Sequence, residues 1–246
     1  MTKGTMRQKT KVAVAAMEDV QSAVEIAASR VIDYLRTTSE PTAEAAHEII
    51  DTMLAEYDCI SPEGRIVASG KQAVEPHEHG AGAIERNVPI VIDIYPQSQK
   101  TGYFADMTRT VCLGTPAPAV QSMYDTVLAA QELAIAMVEP GVPCMDIHIA
   151  VRDYFQQQGY ETRGQGAVFP YAEGFVHALG HGVGKQVHEA PRISEQSVDV
   201  LQVGDVITIE PGLYYQEFGA VRIEDMVLVT DTGAKNLTTF TKTFCI

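Results

Sequence analysis

Four acids interrupt apolar runs in this sequence: Asp93 in VIDIY, Asp106 in FADMTRT, Glu210 in VITIEPG and Glu224 in VRIEDMVLV. An ionised carboxylate withdrawn from water is costly unless it is paired or bound to a cation. One such acid is explained by an ion pair with Arg109 or Arg222; four together exceed the buried cations on offer. Carboxylates with one imidazole form a mostly hard ligand set, suited to Mn, Co, Fe or Zn rather than copper or an iron-sulfur cluster. Bridging acids can hold two such ions roughly 3.5 Å apart, where they activate water and stabilise an oxyanion.

The imidazole is expected from HALGHGVGKQVHE, which carries His177, His181 and His188. His177 and His181 have the spacing of a zincin helix, but HALGH lacks the Glu that follows the first His, and Gly180 disfavours a helix. Gly180, Gly182 and Gly184 do not match GxGxxG either. A lone His is more often structural than ligating; three in one Gly-rich segment point towards chemistry.

The elements that must position these residues follow from periodicity. Apolar residues recur at helical spacing from about Val12 to Leu35, and a second helix is expected from an N-cap at Thr42 to about Tyr57. Residues 88–95 (VPIVIDIY) suit a buried strand and Tyr103 to Leu113 a second, joined through PQSQKTG, so that Asp93 and Asp106 face each other across a hairpin. Helices follow from beyond Pro118 to about Val138 and from Cys144 to about Gln158. Residues 164–191 read as loop and strand, and runs at 205–209 and 220–229 read as closing strands. Helices followed by strands bearing two acids thus occur twice, a hint of internal pseudo-symmetry.

A formal charge of -14 opposes binding to nucleic acid, whose phosphates require Lys and Arg. No apolar run reaches the roughly 20 residues of a membrane span, and the polar start MTKGTMRQKTK has no signal-peptide core, so a cytoplasmic protein is expected. The four cysteines form no CxxC pair, which suggests reduced, structural thiols.

Taken in order, ASG with a later PH (Ala68 to Gly70, His77), GYFADMTRT, GHGVGKQVHEAP, IEPGLY and VRIED resemble the pita-bread metallopeptidases, which include methionine aminopeptidases, aminopeptidase P and prolidase. The resemblance covers about residues 12–242. It implies an α+β pita-bread fold with a pseudo-two-fold, a central antiparallel sheet flanked by helices, and residues 1–246 as one catalytic domain. It also implies two divalent metal ions, Mn foremost with Co, Zn or Fe as alternatives. Asp93 would chelate one ion, Asp106 and Glu224 would bridge, and His181 and Glu210 would complete the second. Glu210 would double as proton shuttle, His77 and His188 would contact the substrate carbonyl or tetrahedral intermediate, and His177, Arg222 and Tyr214 would line the substrate pocket.

IEPGLY and VRIED look more like the Xaa-Pro peptidases than the methionine aminopeptidases, so the implied activity is release of a residue preceding proline through a metal-bridging hydroxide. Many such proteins dimerise. Two departures from the family pattern follow: a single catalytic domain without the usual additional N-terminal domain is expected, and Tyr95 replaces the usual Gly two residues after Asp93, in a longer hairpin. The competing readings are a methionine-aminopeptidase-like enzyme, a peptide-binding module of the same fold without metals, and a structural Ca site. The intact ligand set opposes the second and the imidazole the third.

Overall fold

The computed structural model describes residues 7–162 and 172–246. Helix α1 spans Lys11–Thr37, with the Thr10 hydroxyl capping Ala13 N, and α2 spans Ala43–Glu56, with Thr42 capping Ala45 N. Their apolar stripes, including Met17, Val24, Val31, Ile50 and Leu54, bury against β2 (Arg65–Ser69), β3 (Pro89–Ile94) and β5 (Met107–Cys112). These strands form an antiparallel sheet with β3 central. Two short strands, β1 (Cys59–Ile60) and β4 (Gln97–Ser98), pair beside it.

The second half repeats the order. Helices α3 (Pro118–Ala136) and α4 (Cys144–Gln157) precede β6 (Gly180–Gly182), β7 (Glu189–Ile193) and β8 (Val206–Ile209). Then come β9 (Gly212–Tyr215), β10 (Gly219–Arg222), β11 (Asp225–Thr230) and β12 (Gly233–Asn236). A five-stranded sheet runs β12-β11-β8-β6-β7, and β9 pairs with β10. A separate apolar core joins α3 and α4 to Ile207, Ile209, Val221, Ile223 and Val227.

Three strand expectations need correction. The second strand begins at Met107 rather than Tyr103, because the hairpin folds back on itself: Gln97 bridges Phe104, and Phe104 N donates to Gly184 O. Asp93 therefore faces Thr108, not Asp106, although Asp106 lies two residues along on the same pleat face. Residues 220–229 are two strands in different sheets, parted at Ile223 and Glu224. That break lets Glu224 N reach Thr108 O in the first half, at 3.0 Å. Beside it the Thr110 hydroxyl accepts from Arg222 N and donates to Arg222 O, doing the work of a backbone ladder between β5 and β10.

Among the described residues no helix is long and apolar enough to cross a membrane. All four cysteines are free, with Cys59, Cys112 and Cys144 buried and Cys245 exposed.

Candidate metal centre

Gly180 and Gly182 explain how the imidazole is placed. A Cβ on Gly180 would sit 2.0 Å from Thr208 O and one on Gly182 2.3 Å from Ala190 O, so only glycine lets β6 lie this close to β8 and β7. The amide of His181, between them, then donates to the Thr208 hydroxyl oxygen, and the same hydroxyl donates to Glu210 Oε1, each at 3.1 Å. His181 Nε2 stands 3.2 Å from Glu210 Oε1 and 3.7 Å from Asp106 Oδ2. Ligand atoms of Asp106, His181 and Glu224 all fall within 4.8 Å of one another. Glu224 Oε2 accepts the Thr108 hydroxyl at 2.7 Å, and Asp93 Oδ2 accepts Arg222 Nη2 at 2.7 Å.

The ion-pair explanation thus holds for Asp93 alone of the four acids, and only for one of its oxygens. Asp93 Oδ1 is buried with no hydrogen-bond partner among the described residues. Arg109 is taken by Asp225 at 2.8 Å, a structural pair that Lys242 and Asn236 complete. Burial raises the Asp106 carboxyl well above its usual range, and the charges of Glu224, Asp93 and Glu210 add to it. Glu224 is raised likewise by burial, then by Glu210 and Asp93. Asp93 is raised by burial in spite of Arg222. Glu210 goes the other way: burial would raise it, but the His181 hydrogen bond and charge, with His177 and Arg222, bring it down to about 2. Clustered acids with an orphaned carboxylate oxygen and one imidazole fit divalent cations, whose charge would reverse the mutual repulsion.

All five expected ligands line one cleft of about 180 Å³, together with His77, His79, Glu63, Tyr95 and His188. It adjoins a larger cavity of about 500 Å³, lined by His177, His181, His188, Arg192, Asp199 and Glu210 among others. His188 packs edge-on against His181, ring centroids 4.3 Å apart, and burial and His181 push its imidazole down to about 4, leaving it neutral near pH 7. His77 stands exposed at the rim.

A sequence model of the Peptidase_M24 family, metallopeptidase family M24, matches residues 5–231. The chain belongs to metallopeptidase family M24. The prolidase of Pyrococcus horikoshii superposes with a TM-score of 0.85 at 32% identity, over 96% of this chain and 64% of that one. A Xaa-Pro dipeptidase from Bacillus anthracis gives 0.88 at 27% identity, over 98% and 64%. In sequence, a Xaa-Pro dipeptidase of Pyrococcus furiosus is 40% identical over 174 residues, which is 70% of this chain and 46% of the relative. The chain spans about half the length of the curated relatives it matches. The pita-bread fold and the likeness to the Xaa-Pro branch of M24 are as expected.

Within this M24 site, two expected pocket residues sit behind the wall. Tyr214 and Arg222 are buried, and neither borders the cleft. His177 Nδ1 faces the Ala178 carbonyl at 2.7 Å, and burial holds the ring neutral, so Nδ1 carries the proton and Nε2 accepts from the Tyr214 hydroxyl at 3.0 Å. Tyr214 in turn accepts from Arg222 Nη1 at 2.8 Å. Arg222 thereby ties a pocket histidine to Asp93. The site residues not anticipated from sequence are Thr108 and Thr208, whereas Tyr95, noted there as replacing a Gly, lines the cleft. Thr108 had a signal: Asp106, Thr108 and Thr110 alternate with Met107, Arg109 and Val111, a polar stripe of period two.

Proposed function

We propose that this chain is the catalytic part of a dinuclear-metal peptidase that hydrolyses the N-terminal bond of short peptides before proline. The observation carrying it is the meeting of Asp93, Asp106, His181, Glu210 and Glu224, drawn from both halves, beside a cavity large enough for a peptide residue. The proline preference rests on the Xaa-Pro dipeptidases among its relatives.

Asp93 would serve one ion, His181 and Glu210 the other, with Asp106 and Glu224 between them. Two divalent ions would supply a nucleophilic water at neutral pH and a Lewis acid for the scissile carbonyl. Manganese suits this oxygen-rich set, with Co, Zn or Fe as alternatives. Glu210 is the proton carrier, accepting from water and delivering to the leaving amine. Neutral His188 offers an N–H to the carbonyl oxygen as charge develops there, with His77 at the rim beside it.

The test is a peptide panel of Xaa-Pro dipeptides, Xaa-Pro-Yaa tripeptides and Met-Ala-Ser, given to chelator-stripped protein reloaded with Mn, Co or Zn. Metal-dependent cleavage before proline is expected. Cleavage only after Met establishes the methionine-aminopeptidase-like alternative, and no cleavage with two ions bound overturns the proline-directed reading in favour of another substrate or a binding role.

A further inference from the structure

Gln131 lies on the core-facing stripe of α3 with Val127, Ala130 and Ala134, fully buried among apolar side chains of the second core. A polar amide there is costly unless its hydrogen bonds are made. Its Nε2 donates to two backbone carbonyls, Ile209 O and Ile223 O, each at 3.1 Å. Both acceptors are carbonyls, which fixes the amide's orientation. Oε1 has no partner among the described residues.

Those two carbonyls stand at a fork in the backbone. The β8–β11 ladder ends with Ile209 opposite Asp225, and the β9–β10 ladder ends with Gly212 opposite Arg222. Between these ends neither ladder holds the chain, and there lie Glu210 and Glu224. Because a peptide unit is planar, fixing a carbonyl oxygen also fixes the amide of the next residue and the direction in which its Cα–Cβ bond leaves. The residues next to Ile209 and Ile223 are Glu210 and Glu224.

We propose that Gln131 is a positioning residue for the metal pair, a single amide that sets the spacing of Glu210 and Glu224 by clamping the peptide units that carry them. The proposal rests on the dinuclear reading above. Elsewhere the two glutamates are held through separate partners, Glu210 N by Leu179 O and Glu224 N by Thr108 O; Ile223 N also donates to Pro211 O across the fork, at a longer 3.4 Å, but that bond joins other peptide units than the two that Gln131 clamps.

The test is calorimetric titration of chelator-stripped protein with Mn, comparing wild type, Gln131→Met and Val24→Ala. Gln131→Met keeps the volume and removes both donors; Val24→Ala opens a cavity in the first core, remote from the fork. Gln131→Met is expected to bind the ion pair at least about tenfold more weakly than wild type. Val24→Ala, with a comparable drop in Tm, should bind as wild type does. Should Gln131→Met fail to fold, Gln131→Asn, one methylene too short to span both carbonyls, carries the same expectation. Wild-type affinity in the Gln131 variant, or equal weakening in Val24→Ala, overturns the clamp. Wild type that takes up no Mn overturns the dinuclear reading instead.

Discussion

The two halves of the molecule carry the same order of elements but hold their acids differently. In the first half Asp93 lies within β3, the central strand of its sheet, fixed by the ladder on both sides, and its neutralising partner Arg222 comes from the second half. In the second half Glu210 and Glu224 sit just outside strands, and Glu224 takes its hydroxyl donor, Thr108, from the first. Asp106 and His181 meet across the same divide. The helices of each half pack into a different apolar core, although the first core also takes in Val183, Val206 and Met226 of the second half, and neither half alone brings the five expected ligands together. The site is therefore a property of the docked halves, and ions held by residues of both halves would add to the stability of that docking.

The comparison breaks most severely where both halves share a ligand. Asp106→Ala and Glu224→Ala, the proposed bridging acids from the two halves, should each abolish peptide hydrolysis and lower metal content together. His188→Ala should cut kcat about a hundredfold with metal content retained. Equal metal loss in all three would remove the distinction between bridging and carbonyl-contacting residues.

Next come the ties from each half to the other. Arg222→Met leaves Asp93 buried without its cation and should destabilise metal-free protein by roughly 3 kcal/mol, read by urea unfolding. Thr108→Val, which removes the donor to Glu224, should cost about 1.5 kcal/mol by the same measurement. If the larger loss belongs to Thr108→Val, the two ties have been ranked wrongly.

A subtler effect is the pH dependence of metal stabilisation. Asp93, Asp106 and Glu224 have folded values raised above those of the unfolded chain. As pH climbs past about 5 the unfolded state loses these protons first, so metal-free protein becomes less stable with rising pH. Glu210 has the opposite sign: its folded value of about 2 lies below the ordinary 4.5, so its contribution is complete above about pH 5 and is lost only in acid. The gain in Tm on adding Mn should accordingly grow over the window in which pH rises above the ordinary carboxylate range. A gain that is flat or shrinks over that window contradicts the clustered-acid account. The smallest effect is expected from Thr10→Ala, which removes the N-cap of α1 and should cost about 1 kcal/mol without changing the number of bound ions.

Much of this organisation is legible in the residues. The stripes of α1 and α2 and the cap Thr42 are local patterns, so both helices fall close to where periodicity puts them. The buried acids stand out because a carboxylate in an apolar strand has few alternatives. What escaped depends on distant partners. The run at 220–229 reads as one strand in spite of Arg222, Glu224 and Asp225, and only the approach of Thr108 and Thr110 reveals why it parts at Glu224. The β1 and β4 strands have two residues each, too short for any period. Gly180 disfavours a helix, as read, but its reason for being glycine is the Thr208 carbonyl, which no spacing discloses. Tyr214 and Arg222 lie in segments associated with substrate, yet burial turns them into supports for His177 and Asp93.

The central claim is that both halves together hold two ions, and the number of Mn ions retained per chain after dialysis, by elemental analysis, tests it most directly. The account predicts two for the wild-type protein and almost none for Asp106→Ala. One ion or none in wild type, or two retained in Asp106→Ala, would contradict it.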